Sequence, residues 1–191
     1  MIITKSLVAT QEWCVGMDAL GWDKYLFLNE TSGSQSGSTY WQSTAPTSTV
    51  FSVGTAGPTN SSSAMIAYCF AEKTGFSKFG SYTGNGNADG AFIYTGFKPG
   101  WIMIKRYDAG TEDWNMWDSK RIGYNISGND KLYANLNSAE LTTENAIDIL
   151  SNGFKLRSTN GGFNGSGSTY IYMAFAEAPL VTSGNIPATA R

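Results

Sequence analysis

Ser63-Ala64-Met65-Ile66-Ala67-Tyr68-Cys69-Phe70-Ala71-Glu72 and Ser168-Thr169-Tyr170-Ile171-Tyr172-Met173-Ala174-Phe175-Ala176-Glu177 are two versions of one segment. Each is an apolar and aromatic run that ends Phe-Ala-Glu or Phe-Ala-Glu-Ala. Each follows a turn rich in Gly, Ser and Asn, at residues 55–62 and 159–167. Runs of this kind bounded by turn residues are strand signals. The correspondence continues backwards in the same order. Phe51-Ser52-Val53 matches Phe154-Lys155-Leu156, and residues 24–29 match 131–137 with a one-residue slip. Trp13 matches Trp114, and residues 1–5 match 101–105. A period of roughly 105 residues is too long for a solenoid. It suits tandem β-sandwich units, each about the size of an immunoglobulin-like domain.

The sequence therefore predicts an all-β chain of tandem β-sandwich units that arose by internal duplication. The first unit is expected at 1–75, the second at 76–180 and a tail at 181–191. Nothing before Met1 matches residues 76–100, so the first unit is expected to be either shorter by design or truncated at its N-terminal side. Strands are expected near 1–6, 12–17, 25–29, 50–53 and 64–72. In the second unit they are expected near 76–83, 91–94, 101–106, 114–118, 131–134, 147–150, 153–158 and 169–176. One helical turn is expected at 141–146. Ser151-Asn152-Gly153 is a hairpin signal, and 84–90 and 160–167 read as long glycine-rich turns.

Composition agrees with this class. Hydrophobic residues are 41% of the chain, enough for a core, while charged residues are only 15%, below the usual quarter. Surface polarity must then come from Ser, Thr, Asn and Gly, which favour turns and weaken helices. The net charge of −2 and the lack of a basic stripe argue against nucleic acid as a partner. No apolar stretch approaches 18 residues, so membrane insertion by a helix is not expected. The start Met1-Ile2-Ile3-Thr4-Lys5 lacks a signal-peptide layout. The two cysteines, Cys14 and Cys69, sit in apolar runs and are expected as buried, reduced thiols, with a disulfide as the alternative.

The chain has no histidine. That removes Ser-His-Asp and Cys-His catalysis and the commonest zinc ligand. Asn85-Gly86-Asn87-Ala88-Asp89-Gly90 imitates the first half of a calcium loop, but Gly96 stands where the bidentate Glu belongs. An ordinary turn is expected there. Asp108, Glu112 and Asp113 are expected as a solvated hairpin tip. Glu140 and Glu144 lie on a polar turn, and Glu72 and Glu177 occupy matching positions, so neither pair reads as a glycosidase couple. No enzyme activity, cofactor or metal is expected. Aromatic residues Trp22, Tyr40, Trp41, Tyr107, Trp117 and Tyr124 fall in or beside expected loops. Exposed aromatics stack on sugars and anchor interfaces. The expected receptor-binding residues are Tyr40, Trp41, Trp22, Tyr107 and Tyr124, with the tip Ser38-Thr39-Tyr40-Trp41 foremost.

The strings Ala67-Tyr68-Cys69-Phe70-Ala71-Glu72, Phe79-Gly80-Ser81-Tyr82-Thr83-Gly84-Asn85-Gly86, Tyr94-Thr95-Gly96-Phe97-Lys98-Pro99 and Leu150-Ser151-Asn152-Gly153-Phe154-Lys155-Leu156-Arg157 resemble an uncharacterised domain. That domain recurs in tail-fibre-like proteins of bacteriophages. Residues 170–178 carry the same resemblance. It implies a sandwich of jelly-roll or concanavalin-like type, a virion location after assembly in the host cytoplasm, and contacts with other virion proteins. It brings no catalytic residues. The expected function is a tail-fibre or spike adhesin that binds a host-surface glycan or protein. The alternative is a purely structural virion protein, a capsid decoration or fibre-shaft module. A homotrimer is expected in the assembled virion.

Overall fold

A computed structural model describes residues 1–121, 125, 130–181 and 187–188. Strand takes 36% of the described residues and helix 6%, against a usual helix share of about a third. The protein is all-β, and every named strand pair is antiparallel. Among the described residues no helix is long and apolar enough to cross a membrane. The chain divides into two compact units, Met1–Ala71 with Tyr107–Thr111, and Glu72–Arg106 with Glu112–Arg191.

The first unit holds β1 (Ile2–Ser6), β2 (Cys14–Gly16), β3 (Lys24–Phe27), β4 (Gln35–Ser36), the helical turn α1 (Ser38–Trp41) and β5 (Met65–Cys69). They form one five-stranded sheet in the order β4-β3-β2-β1-β5. Its core is Ile2, Cys14, Trp22, Tyr25, Phe27 and Trp41, with Tyr40, Phe51 and Val53 packed against it. Gly16 makes room for this arrangement. A Cβ there would lie 2.6 Å from Trp22 Cζ3 and 2.7 Å from Trp41 Cε2. The two indoles meet edge to face, with centroids 5.6 Å apart.

The second unit holds β6 (Ser77–Thr83), β7 (Phe92–Tyr94), β8 (Pro99–Arg106), β9 (Asn115–Asp118), β10 (Leu132–Tyr133), β11 (Ile147–Leu150), β12 (Gly153–Leu156), α2 (Gly161–Asn164) and β13 (Thr169–Ala176). Five strands are ordered β10-β9-β8-β13-β6, and three are ordered β11-β12-β7. One core joins them. It takes Ile102, Ile104, Trp117, Tyr170, Tyr172 and Ala174 from the larger sheet. It takes Ile93, Ile147, Ile149, Phe154 and Leu156 from the smaller, and Phe163 from α2. After β13, Leu180–Val181 pairs with Pro187–Ala188.

The two larger sheets share a register. Ile2 pairs Cys69 and Gly16, as Ile102 pairs Ala174 and Trp117. Lys5 pairs Ile66, as Lys105 pairs Ile171. Val15 pairs Leu26, as Met116 pairs Leu132. A side-chain bond repeats too. The Trp13 amide donates to Asn29 Oδ1 at 2.8 Å, and the Trp114 amide donates to Asn135 Oδ1 at 2.9 Å.

Three expectations are corrected. Residues 50–53 form no strand; Phe51 and Val53 press on the core without a ladder. Residues 141–146 form no helical turn, because Leu141 exchanges backbone hydrogen bonds with Lys131 at 2.9 and 3.0 Å. Strand β4 and the two helical turns had no strand or helix expectation. Cys14 is buried, but Cys69 is exposed, since β5 is an edge strand. Both thiols are free.

Lys105 is completely buried and its ammonium donates to the Glu112 carbonyl. Desolvation pushes its pKa down to about 8 from 10.5, against the pull of Asp113 and Glu112. The folded state therefore binds fewer protons than the unfolded one between those values, and stability rises with pH across that window. Calorimetry should record a rising midpoint from pH 8 to 9.5, and Lys105→Met should flatten it; equal slopes in the two proteins would refute this origin. A second expectation concerns Gly16. Gly16→Ala overpacks the Trp22–Trp41 contact and should lose about 1–3 kcal/mol in urea unfolding, whereas wild-type stability would contradict the close approach.

Candidate functional site

Strand β7 reads Phe92-Ile93-Tyr94, and successive side chains of a strand point to opposite faces. Ile93 enters the core. Phe92 and Tyr94 therefore share the outer face of the three-stranded sheet, where they are 46% and 64% exposed. The register fixes their neighbours. Lys155 lies beside Phe92 and Gly153 beside Tyr94. Asp148 and Leu150 follow on β11. A Cβ on Gly153 would lie 2.9 Å from Phe92 Cε2 and 2.1 Å from the Ile93 carbonyl oxygen. The Phe92 ring thus lies close against bare backbone, and no other residue fits that position. The turn between β11 and β12 is tied to the end of β7 by the amides of Thr95 and Gly96, which donate to the Asn152 carbonyl at 3.0 and 3.2 Å.

Charged groups border these aromatics. Lys155 Nζ stands 2.5 Å from Asp89 Oδ1. Arg157 reaches Asp89 at 3.5 Å and Asp148 at 3.3 Å. The hydrogen bond and charge of Lys155, aided by Arg157, hold the Asp89 carboxyl below its usual range. Asp89 is presented by the glycine-rich turn before β7. In that turn the Asn87 amide donates to Asn85 Oδ1 at 3.0 Å, and the Asp89 amide to Asn87 Oδ1 at 2.9 Å. Those side chains close successive Asx turns. Buried Asn164 ties the turn down, donating to the Asn87 and Ser158 carbonyls at 2.8 and 2.7 Å and accepting from the Asn85 amide at 3.0 Å.

The result is two exposed aromatic faces beside a neutral set of two cations and two carboxylates. Aromatic faces stack on the C–H faces of pyranose rings, and the charged groups donate to and accept from hydroxyls. Asp89, held ionised, is an acceptor and not a proton donor near neutral pH.

The aromatics expected to bind a receptor lie elsewhere. Trp41 is fully buried and Trp22 is 8% exposed, both in the first unit's core. Gly37 is extended, Gln42 is left-handed, and its amide closes α1 on the Ser38 carbonyl at 2.9 Å. That turn swings Trp41 inward, so the Ser38–Trp41 tip is no exposed platform. Tyr40 is half-buried and stacks on Tyr25 with centroids 3.5 Å apart. Tyr107 is half-buried, and its carbonyl accepts the Ser34 amide at 2.8 Å. Trp117 lies inside β9, edge to face with Phe163. Tyr124 lies outside the described residues. The carboxylates weighed from sequence serve side-chain pairs: Glu177 takes Lys98 and Lys120, Glu144 takes Lys131, and Asp113 takes Asn135. Sequence reasoning missed Phe92 and Tyr94 because it placed residues 91–94 on a strand without assigning either ring to a face. The signal available was the placement of that run directly after an Asn/Asp/Gly turn.

Since both rings are largely exposed, Phe92→Ala and Tyr94→Ala should each change stability by no more than about 0.5 kcal/mol. Urea midpoints test this, and a loss several times larger would assign the rings to the fold and not to a surface site.

No curated protein and no solved structure matches the chain. One family model does, over residues 1–179, described as Domain of unknown function (DUF7483). That match takes in every strand of both larger sheets and the Phe92–Tyr94 face, and the chain therefore belongs to the DUF7483 family.

Proposed function

We propose that this chain is a non-catalytic recognition module of a bacteriophage tail fibre or spike, and that it binds a host-surface glycan through the Phe92–Tyr94 face. The observation that carries the reading is the pair of exposed rings on one rigid sheet face, flanked by Lys155, Arg157, Asp89 and Asp148. A glycan platform needs flat apolar faces beside groups that both donate and accept. The face supplies both on strands, where positions are better held than on loops. The virion assignment is supported by the resemblance of the quoted strings to tail-fibre-like domains. The absence of histidine from the sequence favours binding over hydrolysis.

We read the two units as copies of one β-sandwich. The shared register of β1, β2, β3 and β5 with β8, β9, β10 and β13 supports duplication. The core of the second unit, drawn from two sheets, supports the sandwich. In the first unit Phe51 and Val53 take the covering role that β12 plays in the second.

The test is binding of the purified chain to a bacterial polysaccharide array and to host cells. The wild type should bind, and Phe92→Ala/Tyr94→Ala should bind at least about tenfold more weakly, which corresponds to about 1.4 kcal/mol. Full binding by the double variant would move the site elsewhere. A wild type that binds no surface would favour the structural-protein reading.

A further inference from the structure

We infer that β5 is a self-association edge, and that two copies of this chain pair β5 with β5 antiparallel about a two-fold axis at Ala67. This rests on the backbone ladder of the first unit and is independent of the glycan reading.

The ladder parity identifies the free groups. The Phe70 amide donates to the Met1 carbonyl and the Leu7 amide to the Ala64 carbonyl, each at 2.9 Å. Even-numbered residues of this strand therefore turn their backbone groups to β1, and Met65, Ala67 and Cys69 turn theirs outward. Among the described residues no strand pairs with that outer side. The register-equivalent residues of the second unit are Tyr170, Tyr172 and Ala174, and β6 pairs with them there. The amide of Ala176 donates to Phe76 and that of Gly84 to Ser168, at 2.8 and 2.9 Å, which confirms the parity. The same backbone position is thus strand-bound in one unit and open in the other. Ala67, Tyr68 and Cys69 are exposed, Tyr68 by 42%.

The composition of the edge selects its occupant. β5 reads Met65-Ile66-Ala67-Tyr68-Cys69, with no charge and no proline. Natural edges are blunted by such residues. Among the other edge strands, β6 carries Lys78 and β11 carries Asp148, β4 and β10 have two residues each, and β7 has three. β5 is the longest uncharged edge, and an uncharged strand meets its own copy without repulsion. With Ala67 on the axis, all outward groups pair. Met65 faces the partner's Cys69, and Ile66 faces the partner's Tyr68, an aromatic against a β-branched residue, which is a favourable cross-strand pair. Glu72 and Lys73 fall opposite the partner's Ser62 and the partner's Ser61, so no like charges meet. An isologous contact of this kind closes at two copies and leaves no further β5 edge.

Sedimentation equilibrium of the full chain should give a dimer. Ala67→Pro removes an outward N–H and spares the β1 ladder, so it should yield a monomer with wild-type circular dichroism. Ala67→Lys should do the same if the proline variant fails to fold. In a Cys69→Ser background, Ala67→Cys should oxidise to a covalent dimer, because Cα atoms of such a pair lie about 5.5 Å apart. Ile66→Cys in that background should not. A wild-type monomer at tens of micromolar, a trimer, or a dimer that survives both Ala67 variants would overturn the pairing.

Discussion

The structure depends on a long-range antiparallel ladder in each unit. Ile2 finds Cys69 in one and Ile102 finds Ala174 in the other. Each pairing brings together residues separated by most of a unit, so its loop-closure cost must be offset by what the strands then bury. In the second unit the return is full. Tyr170, Tyr172 and Ala174 enter a core shared by two sheets, and β6 takes up the outer backbone groups. In the first unit the same ladder buries only one flank of β5. The constraint is common to both units, and the difference between them is how completely the last strand is enclosed.

That ladder was legible because it leaves a pattern in the chain. The paired segments at 63–72 and 168–177 keep both their composition and their order relative to Trp13 and Trp114. Aligning them matches β1 to β8, and β2 to β9, in the order of the chain. Side-chain direction was less legible. Tyr40 and Trp41 follow a Ser/Gly run and read as an exposed tip, but a single helical turn capped by left-handed Gln42 reverses that. Residues 91–94 read as a strand with no face assigned to Phe92 and Tyr94; the pairing with Lys155 and Gly153 reveals the outer face.

Trp41 and Trp22 were misread for a further reason, which lies in volume. At the position where β9 places Trp117, β2 places Gly16. A sheet that gives up an indole there leaves a void, and close-packed interiors do not keep voids of that size. Trp22 and Trp41 fill it from outside the sheet, and they approach so closely that a single methyl on Gly16 would collide with both. In the second unit Trp117 occupies its own position and α2 supplies Phe163 against it. The exchange of Gly with two loop-borne Trp residues for Trp with one loop-borne Phe conserves packing, not sequence. No pairwise comparison of the two segments reveals it, because the compensating residues lie at different places in the chain.

The same logic separates the two surfaces by the kind of partner each can hold. The outer face of β7 and β12 presents side chains to a partner: two rings and a tied set of four charges. Recognition there is a matter of shape and hydroxyl geometry. Along β5 the side chains are small or apolar and carry no charge, while the backbone groups of Met65, Ala67 and Cys69 point outward. An edge of this kind selects for an extended strand in register and discriminates poorly by chemistry. Its specificity must come from the length of the run and from what flanks it. Glu72 and Lys73 bound the otherwise neutral run: in the centred register they fall opposite the partner's Ser62 and the partner's Ser61, whereas a slip that sets Glu72 against the partner's Ile66 places a charge on an apolar side chain.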